Sequence, residues 1–363
     1  MLRGAGIPVS RVFIGYVNNQ FVLRRAGDYD GLLVEEDITD AVEDYLPEAA
    51  ARASEHQQVL VNPSMPSVDV GPQCMRPYEC PFLARCTTGQ ETAEYPVDLL
   101  PRAGKTLEAL MAAGYRDLRE VPIELLTSAM HRRVHEATVT GAAYFDATAT
   151  AELRKLPLPY SYLDFETISL SVPDVIGTWP YEKIPFQWSV HVELGPTDIR
   201  HVEYLAIESF GDFDAMARAL LAATPTEGPI FAYNASFEAA VLNGLADRLP
   251  DQDSALRRLA GRLVDLLRVT RKAYYHRDMQ GSWSIKDVMP TILPELGYER
   301  LDEVQEGGAA QLAFLELRGQ NVMPERVKIL RRALLRYCAH DTWAMVVLRR
   351  FLCGESAHVE TAG

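Results

Sequence analysis

Three short segments of this chain carry residues that could work together on a charged substrate. Asp164 and Glu166 stand in Tyr-Leu-Asp-Phe-Glu-Thr. On a strand, successive side chains point to opposite faces, so these two carboxylates share one face while Leu163 and Phe165 point into a core. Side by side they repel, and a divalent cation between them resolves the repulsion. A solvated strand end would read the same way. Glu238 closes Phe231-Ala-Tyr-Asn-Ala-Ser-Phe-Glu, a strand running into a helix. Asn234 or Ser236 is placed to cap that helix, and an acid in its first turn suits the helix dipole. That makes Glu238 either a ligand or a dipole-complementing surface acid. The third segment is Arg336-Tyr-Cys-Ala-His-Asp-Thr342. Tyr337 and Asp341 are four apart and share a helix face with Leu330, Leu334 and Met345. Burying Asp341 there is costly unless something positive meets it.

The elements that must hold these residues follow from periodicity. Tyr160–Phe165 reads as a short apolar strand. Phe186–Leu194 alternates, with Phe186, Trp188, Val190 and Val192 on one side and Gln187, Ser189 and His191 on the other, which predicts a half-buried strand. His201–Ile207 predicts a third strand, antiparallel because its connection is short. A helix over Phe213–Ala222, a strand over Pro229–Tyr233, a helix over Ser236–Asp247 and a strand over Arg262–Leu266 follow, and a long helix over about Glu325–Phe351 ends the series. Three early strands and then alternating β and α predict a mixed α/β sheet flanked by helices. The first 90 residues form a separate small piece. It has strands at Arg11–Val17 and Gln20–Arg25 joined by an Asn18-Asn19 turn, and a helix over Asp40–Ser54 capped by Thr39. An irregular Pro- and Cys-bearing loop, Asn62–Cys86, follows. Lys105–Ala113 and Ile123–Thr138 predict a helical connector between the two parts, and Ser356–Gly363 a frayed tail.

Composition narrows the function classes. With 363 residues, roughly 150 per domain suggests two domains and a smaller element. The net charge of −14 argues against a non-specific nucleic-acid coat, which needs Lys and Arg on phosphate. It leaves room for an enzyme that meets phosphate through divalent metals. One stretch departs from the trend. Glu325–Arg350 holds seven basic residues (Arg326, Lys328, Arg331, Arg332, Arg336, Arg349, Arg350) against Glu325 and Asp341, a solvated face or a phosphate contact. Lys286, in Trp-Ser-Ile-Lys-Asp, and Arg336 are the candidate substrate contacts. No apolar run reaches the roughly 18 residues that span a bilayer, and Met1–Gly15 lacks a signal-peptide pattern, so a cytoplasmic address without membrane contact is expected. Gly104-Lys105-Thr106 lacks the earlier glycine of a phosphate-binding loop, Leu99 standing in its place, and the acids of Asp28–Asp37 have no regular ligand spacing.

The ordered set of Asp-Phe-Glu on a first strand, Tyr-Asn-x-x-Phe-acid at a strand-to-helix junction and Tyr-x-x-x-Asp on a late helix resembles the DEDD (DnaQ-like) 3′–5′ exonucleases. The resemblance covers about Leu156–Leu352 and belongs to the subclass with Tyr in the last motif. It implies an RNase H-like fold. It also implies that Asp164, Glu166, Glu238 and Asp341 hold two Mg²⁺ or Mn²⁺ ions, that Tyr337 orients the attacking water, and that the substrate is DNA or RNA. Where this chain has Glu238, the family pattern has Asp, shorter by one methylene.

Cys74, Cys80 and Cys86 lie within one 13-residue window, and an odd count of five cysteines without a secretion signal argues against a disulfide framework. The run from Gly71 to Cys86 resembles the carboxy-terminal cysteine cluster of RecB-like PD-(D/E)XK nucleases, which implies a [4Fe–4S] cluster, with Zn²⁺ as the other metal such ligands hold. Cysteines are absent upstream of Cys74, so the set is one ligand short, with His56 as the candidate fourth; three reduced structural thiols are the alternative. No Asp…Glu-x-Lys set occurs in residues 1–73. The whole chain resembles an uncharacterised bacterial family that joins a RecB-like segment to a DEDD-like domain. The expected organisation is therefore a RecB-like tail (1–90), a helical connector (91–155), an exonuclease domain (156–352) and a flexible tail (353–363). The competing function is a non-catalytic nucleic-acid-binding or scaffold module with a decayed nuclease site.

Overall fold

A computed structural model describes residues 5–74, 78–88 and 93–355. The chain divides into two compact units, 1–92 and 93–363. In the first, β1 (Phe13–Val17) pairs antiparallel with β2 (Leu33–Asp37), Val17 opposite Leu33. The expected partner, Gln20–Arg25, is not a strand. Asn18 turns the chain instead: its Oδ1 accepts from the Gln20 N–H, its side-chain amide donates to Gly31 O, and its own N–H donates to Leu32 O. The intervening loop buries Leu23 and is closed by Leu32. Helix α1 (Thr39–Val61) is longer than expected, and Thr39 is not its cap: Asp37 Oδ1 takes the Thr39 N–H, while Thr39 Oγ1 accepts from the Val12 N–H. The short helix α2 (Leu83–Cys86) follows the cysteine loop. The expected tail, Ser356–Gly363, lies outside the described residues.

The second unit opens with α3 (Lys105–Ala112) and α4 (Ala129–Thr140). The second of these starts later than its sequence pattern suggests, because Ile123–Leu125 makes a separate 3₁₀ turn that puts Leu126 fully into the core. Strand β3 (Tyr144–Phe145) leads to the central sheet strands β4 (Tyr160–Ser169), β5 (Lys183–Glu193) and β6 (Ile199–Leu205), then α5 (Phe213–Ala223), β7 (Ile230–Ala232), α6 (Ser236–Arg248), α7 (Asp253–Ala260) and β8 (Leu263–Asp265). Helix α8 (Leu266–Ala273), β9 (Tyr274–Tyr275, paired with β3), α9 (Ile285–Ile292), α10 (Gly307–Leu317) and α11 (Pro324–Cys353) complete it. The five-stranded sheet runs β6-β5-β4-β7-β8; β6, β5 and β4 are antiparallel neighbours, and β7 and β8 add in parallel.

Side-chain alternation divides the core into two layers. Leu163 and Phe165 of β4 join Trp188, Val190 and Val192 of β5 against α5, α6 and α7. Tyr162 and Ile168, on the opposite face of β4, pack with α10 and α11. Both faces of β5 are therefore buried, against the half-buried strand its alternation suggests, because α11 covers the polar side as well. A β-bulge opposite Glu166/Thr167 also moves Phe186 out of line with Trp188, so that it stacks on Phe314 of α10 with ring centres 4.1 Å apart.

Polar contacts set the position of α11 on the sheet. Gln187 Nε2 donates to Leu334 O at 2.8 Å, and Thr342 Oγ1 shares hydrogen bonds with Ser189 Oγ and His191 Nδ1, each 2.8 Å. Near the helix end, buried Glu193 accepts from Arg349 at 3.0 Å, from Arg350 at 2.7 Å and from the Tyr162 hydroxyl at 2.6 Å. Two of the seven basic residues in this helical stretch are thus internal ion-pair partners, neither solvated nor free for phosphate. Glu193→Ala would leave two buried guanidinium groups uncompensated and should lower unfolding free energy by about 3–5 kcal/mol, read by urea denaturation. A loss below about 1 kcal/mol would mean that the contact does not hold the helix.

Candidate functional site

The face of β4 that carries Asp164 and Glu166 is the one covered by α11, and α11 brings Asp341 down onto it. One carboxylate oxygen from each of the three residues lies within 4.8 Å of the others. Among the described residues this is the one such group of three His, Cys, Asp or Glu donors. Glu238, in the first turn of α6, stands outside that tight set but inside its field: its charge acts on both Asp164 and Glu166. It is 2% exposed, and its Oε2 has no hydrogen-bond partner. This rules out the exposed, dipole-complementing acid as its setting. Neither Asn234 nor Ser236 caps α6. Asn234 takes a left-handed turn (φ 77°) and its Oδ1 accepts from the Ser236 hydroxyl, while its carbonyl receives the Phe237 N–H. The sharp turn ends β7, and Glu238 follows four residues later, buried in the first turn of α6.

Burial dominates the electrostatics. Asp164 is pushed well above the ordinary carboxylate range, first by desolvation and then by Asp341, Glu166 and Glu238; a hydrogen bond from the Cys338 thiol to its Oδ2 (3.4 Å) works the other way. Glu166 is raised to about 8 by burial and by Asp341, against the pull of Lys286. Glu238 is also raised to about 8, by burial and by Asp265 and Asp341, against a backbone hydrogen bond. Asp341 reaches only about 6, since the Tyr298 hydroxyl donates to its Oδ1 and Lys286 and Tyr337 also favour its charged form.

Lys286 supplies the positive charge that a buried Asp341 requires. Its Nζ donates to Gln305 O at 2.7 Å and lies 5.4 and 5.5 Å from the ring centres of Tyr298 and Tyr337. Arg336, the other candidate phosphate contact, is exposed and paired with Asp302 at 3.2 Å, away from the carboxylates' hydrogen bonds. Tyr337 is 5% exposed and faces the cluster as its helical spacing requires. Tyr298 and Cys338 also belong to the site. Tyr298 sits in a single 3₁₀ turn, Tyr298–Arg300, where no periodicity marks it out. Cys338 is visible only as a small apolar position on α11.

The residues fit divalent cations. Four acids against one lysine leave a formal −3 in a desolvated pocket, and the unpartnered Glu238 Oε2 lacks a positive group to meet. Asp164, Glu166 and Asp341 would hold one cation, with Glu238 as a further anionic ligand. In the first unit, Cys74, Cys80 and Cys86 all line one apolar cavity of about 540 Å³. Their donor atoms do not form a group within 4.8 Å, wider than tetrahedral zinc places its ligands, so the zinc reading does not fit. His56 is not among the residues lining that cavity and does not complete the set.

Raised carboxyl pKa values predict how the metal-free protein responds to pH. The folded state holds protons that the unfolded state has lost above about pH 4.5, so this stability is full below that pH and is lost as pH rises towards 8. Thermal melting without metal should therefore show Tm falling between pH 5 and pH 8. Mg²⁺ or Mn²⁺ should restore it, and by more at pH 8, where cations no longer compete with protons. A Tm indifferent to both pH and cation would contradict the site.

No helix among the described residues is long and apolar enough to cross a membrane. No curated protein and no solved structure matches the chain. Residues 161–284, about a third of the chain, match a domain of unknown function, DUF2779. That span takes in Asp164, Glu166 and Glu238 and stops short of Lys286, Tyr337 and Asp341.

Proposed function

We propose that this protein is a metal-dependent 3′–5′ exonuclease that cleaves phosphodiesters of DNA or RNA, with residues 156–352 as an RNase H-like DEDD domain. The observation that carries the reading is the convergence of Asp164, Glu166 and Asp341, from a strand and a helix 177 residues apart in sequence, on one desolvated point with Glu238 beside them. Three antiparallel strands followed by two parallel ones support the RNase H-like assignment. Two bound cations would supply the chemistry, activating water and stabilising the leaving oxygen. The protein's own groups have separate tasks. The four carboxylates bind and space the cations. The Tyr337 hydroxyl, packed edge-on near Tyr298 (6.3 Å between centres), orients the attacking water. Lys286 places a positive charge where a phosphate would enter. The Tyr298 hydroxyl, by donating to Asp341 Oδ1, fixes a carboxylate that would help hold the cations. A decayed scaffold is the weaker reading, because nothing in scaffolding offsets the cost of keeping four carboxylates buried together.

With Mg²⁺ or Mn²⁺, the protein should shorten a 5′-labelled single strand stepwise and release the label first from a 3′-labelled one, and EDTA should stop both. Asp164→Asn should lower the rate at least a hundredfold, since it weakens a ligand on which all three other acids act; undiminished turnover would end the assignment. Glu238→Ala should also abolish turnover, while Glu238→Asp retains it. Tyr337→Phe should slow turnover without weakening cation binding in the melting assay.

For residues 1–90 we propose a RecB-like nuclease tail whose Cys74, Cys80 and Cys86 bind an iron–sulfur cluster. The support is that all three thiols line the same cavity. Protein prepared without oxygen should contain iron and absorb near ~400 nm, with both signals lost in Cys80→Ser. Iron-free protein of equal stability would leave the thiols structural.

A further inference from the structure

We infer that a furrow lined by the helical connector, α8 and the segment leading into α9 binds the sugar-phosphate backbone of single-stranded nucleic acid at nucleotides beyond the bond being cut; this rests on the nuclease reading above. The furrow has a volume of about 570 Å³. Arg102 and Met130 come from the connector, Leu267 and Arg271 from α8, and Ser282 and Ser284 from the segment before α9. No acidic side chain lines it, in a chain where acids outnumber Lys and Arg by 50 to 36. Neither the Arg102 nor the Arg271 guanidinium makes a hydrogen bond or ion pair among the described residues. Two unpaired guanidinium groups over an apolar floor, flanked by two serine hydroxyls, match a phosphodiester with its sugar better than a neutral or cationic ligand.

The walls are fixed before any ligand arrives. Gly281 takes a φ of 75°, and a Cβ there would stand 2.0 Å from Leu99 O, so the connector backbone lies directly against this segment. Arg133 of α4 donates to Arg271 O at 2.6 Å, and His131 Nε2 lies 3.0 Å from Pro101 O. On the opposite side the Tyr233 hydroxyl donates to Trp283 O at 2.6 Å, and Trp283 Nε1 donates to Tyr274 O at 2.9 Å. A pre-formed furrow loses little entropy on binding. Two of its lining residues lie close in sequence to the site: Ser284 stands two residues before Lys286, and Tyr233 five before Glu238. In the basic groove between β6 and α11 an acid stands among the cations: Glu203 lines it within the field of Arg331, and Arg336 and Lys328 are paired with Asp302 and Glu325, which makes it less suited to a phosphodiester.

The test is fluorescence anisotropy of the full chain with labelled single-stranded DNA and RNA oligonucleotides, in EDTA so that nothing is cut, across a salt series. Arg102→Ala/Arg271→Ala should weaken binding at least tenfold at low salt. It should also reduce the slope of log K against log salt by about 1.4, the value for two lost phosphate contacts on a single strand. Arg271→Lys should keep the slope, and Arg332→Ala, in the α11 groove, should change neither quantity. Should the double variant melt early, Arg102→Glu, at an exposed position, must still weaken binding tenfold. An unchanged slope and affinity in these variants overturns the inference, as does a wild-type protein that binds neither oligonucleotide. Turnover of the p-nitrophenyl ester of thymidine 5′-monophosphate with Mn²⁺ reports separately on the metal centre. The furrow variants should leave it unchanged, and its absence in the wild type would fault the nuclease reading without touching the binding result.

Discussion

The position of one helix decides whether this molecule has a site at all. Asp341 reaches Asp164 and Glu166 only because α11 lies across β4 and β5 at a particular register, and that register is held by polar contacts rather than by apolar packing alone. Apolar faces slide at little cost, whereas a glutamate buried between two arginines and a tyrosine does not. Glu193 with Arg349, Arg350 and Tyr162 fixes one point of the helix; Thr342 with Ser189 and His191 fixes a second, and Gln187 with Leu334 O a third. Asp341 sits between these points, one residue before Thr342. A slip of one helical turn would move it by about 5.4 Å and dissolve the cluster.

The cluster itself works against folding. Four carboxylates share a desolvated space with one lysine, and in each the largest perturbation is the loss of water. The neighbours are graded in their response. Asp341 receives the most help, from Tyr298, Tyr337 and Lys286, and stays closest to the ordinary carboxylate range; Asp164, Glu166 and Glu238 each have a single favourable contact, and Glu238 keeps an unpartnered oxygen. A rigid double-sided sheet supplies the stability against which this strain is held.

The placement of Glu238 follows from the turn that carries it. Asn234 in a left-handed conformation sets the start of α6, and the acid follows four residues later in the helix's first turn. It lies outside the tight three-acid group while still acting on Asp164 and Glu166.

Much of this was legible in the sequence. Alternation along Tyr160–Phe165 places Asp164 and Glu166 on one face and Leu163 and Phe165 on the other, because strand geometry has a period of two whatever surrounds it. Helical spacing likewise puts Tyr337 and Asp341 on one face, whereas the nearness of Lys286 to Asp341 left no mark in the sequence. Local chemistry could not decide which faces meet. The polar side of β5 reads as solvent-facing until α11 is laid on it, and Arg349 and Arg350 read as surface charge until Glu193 is placed beneath them. Tyr298 and Cys338 join the site through contacts 43 and 174 residues away in sequence, which leave no periodic trace. The same holds for the first hairpin, where an asparagine's side-chain hydrogen bonds redirected the chain past the nearest strand-like segment. Period and turn propensity belong to neighbours in sequence and were fixed there. Burial, and with it every shifted charge in the site, belongs to neighbours in space, and only the tertiary structure could assign it.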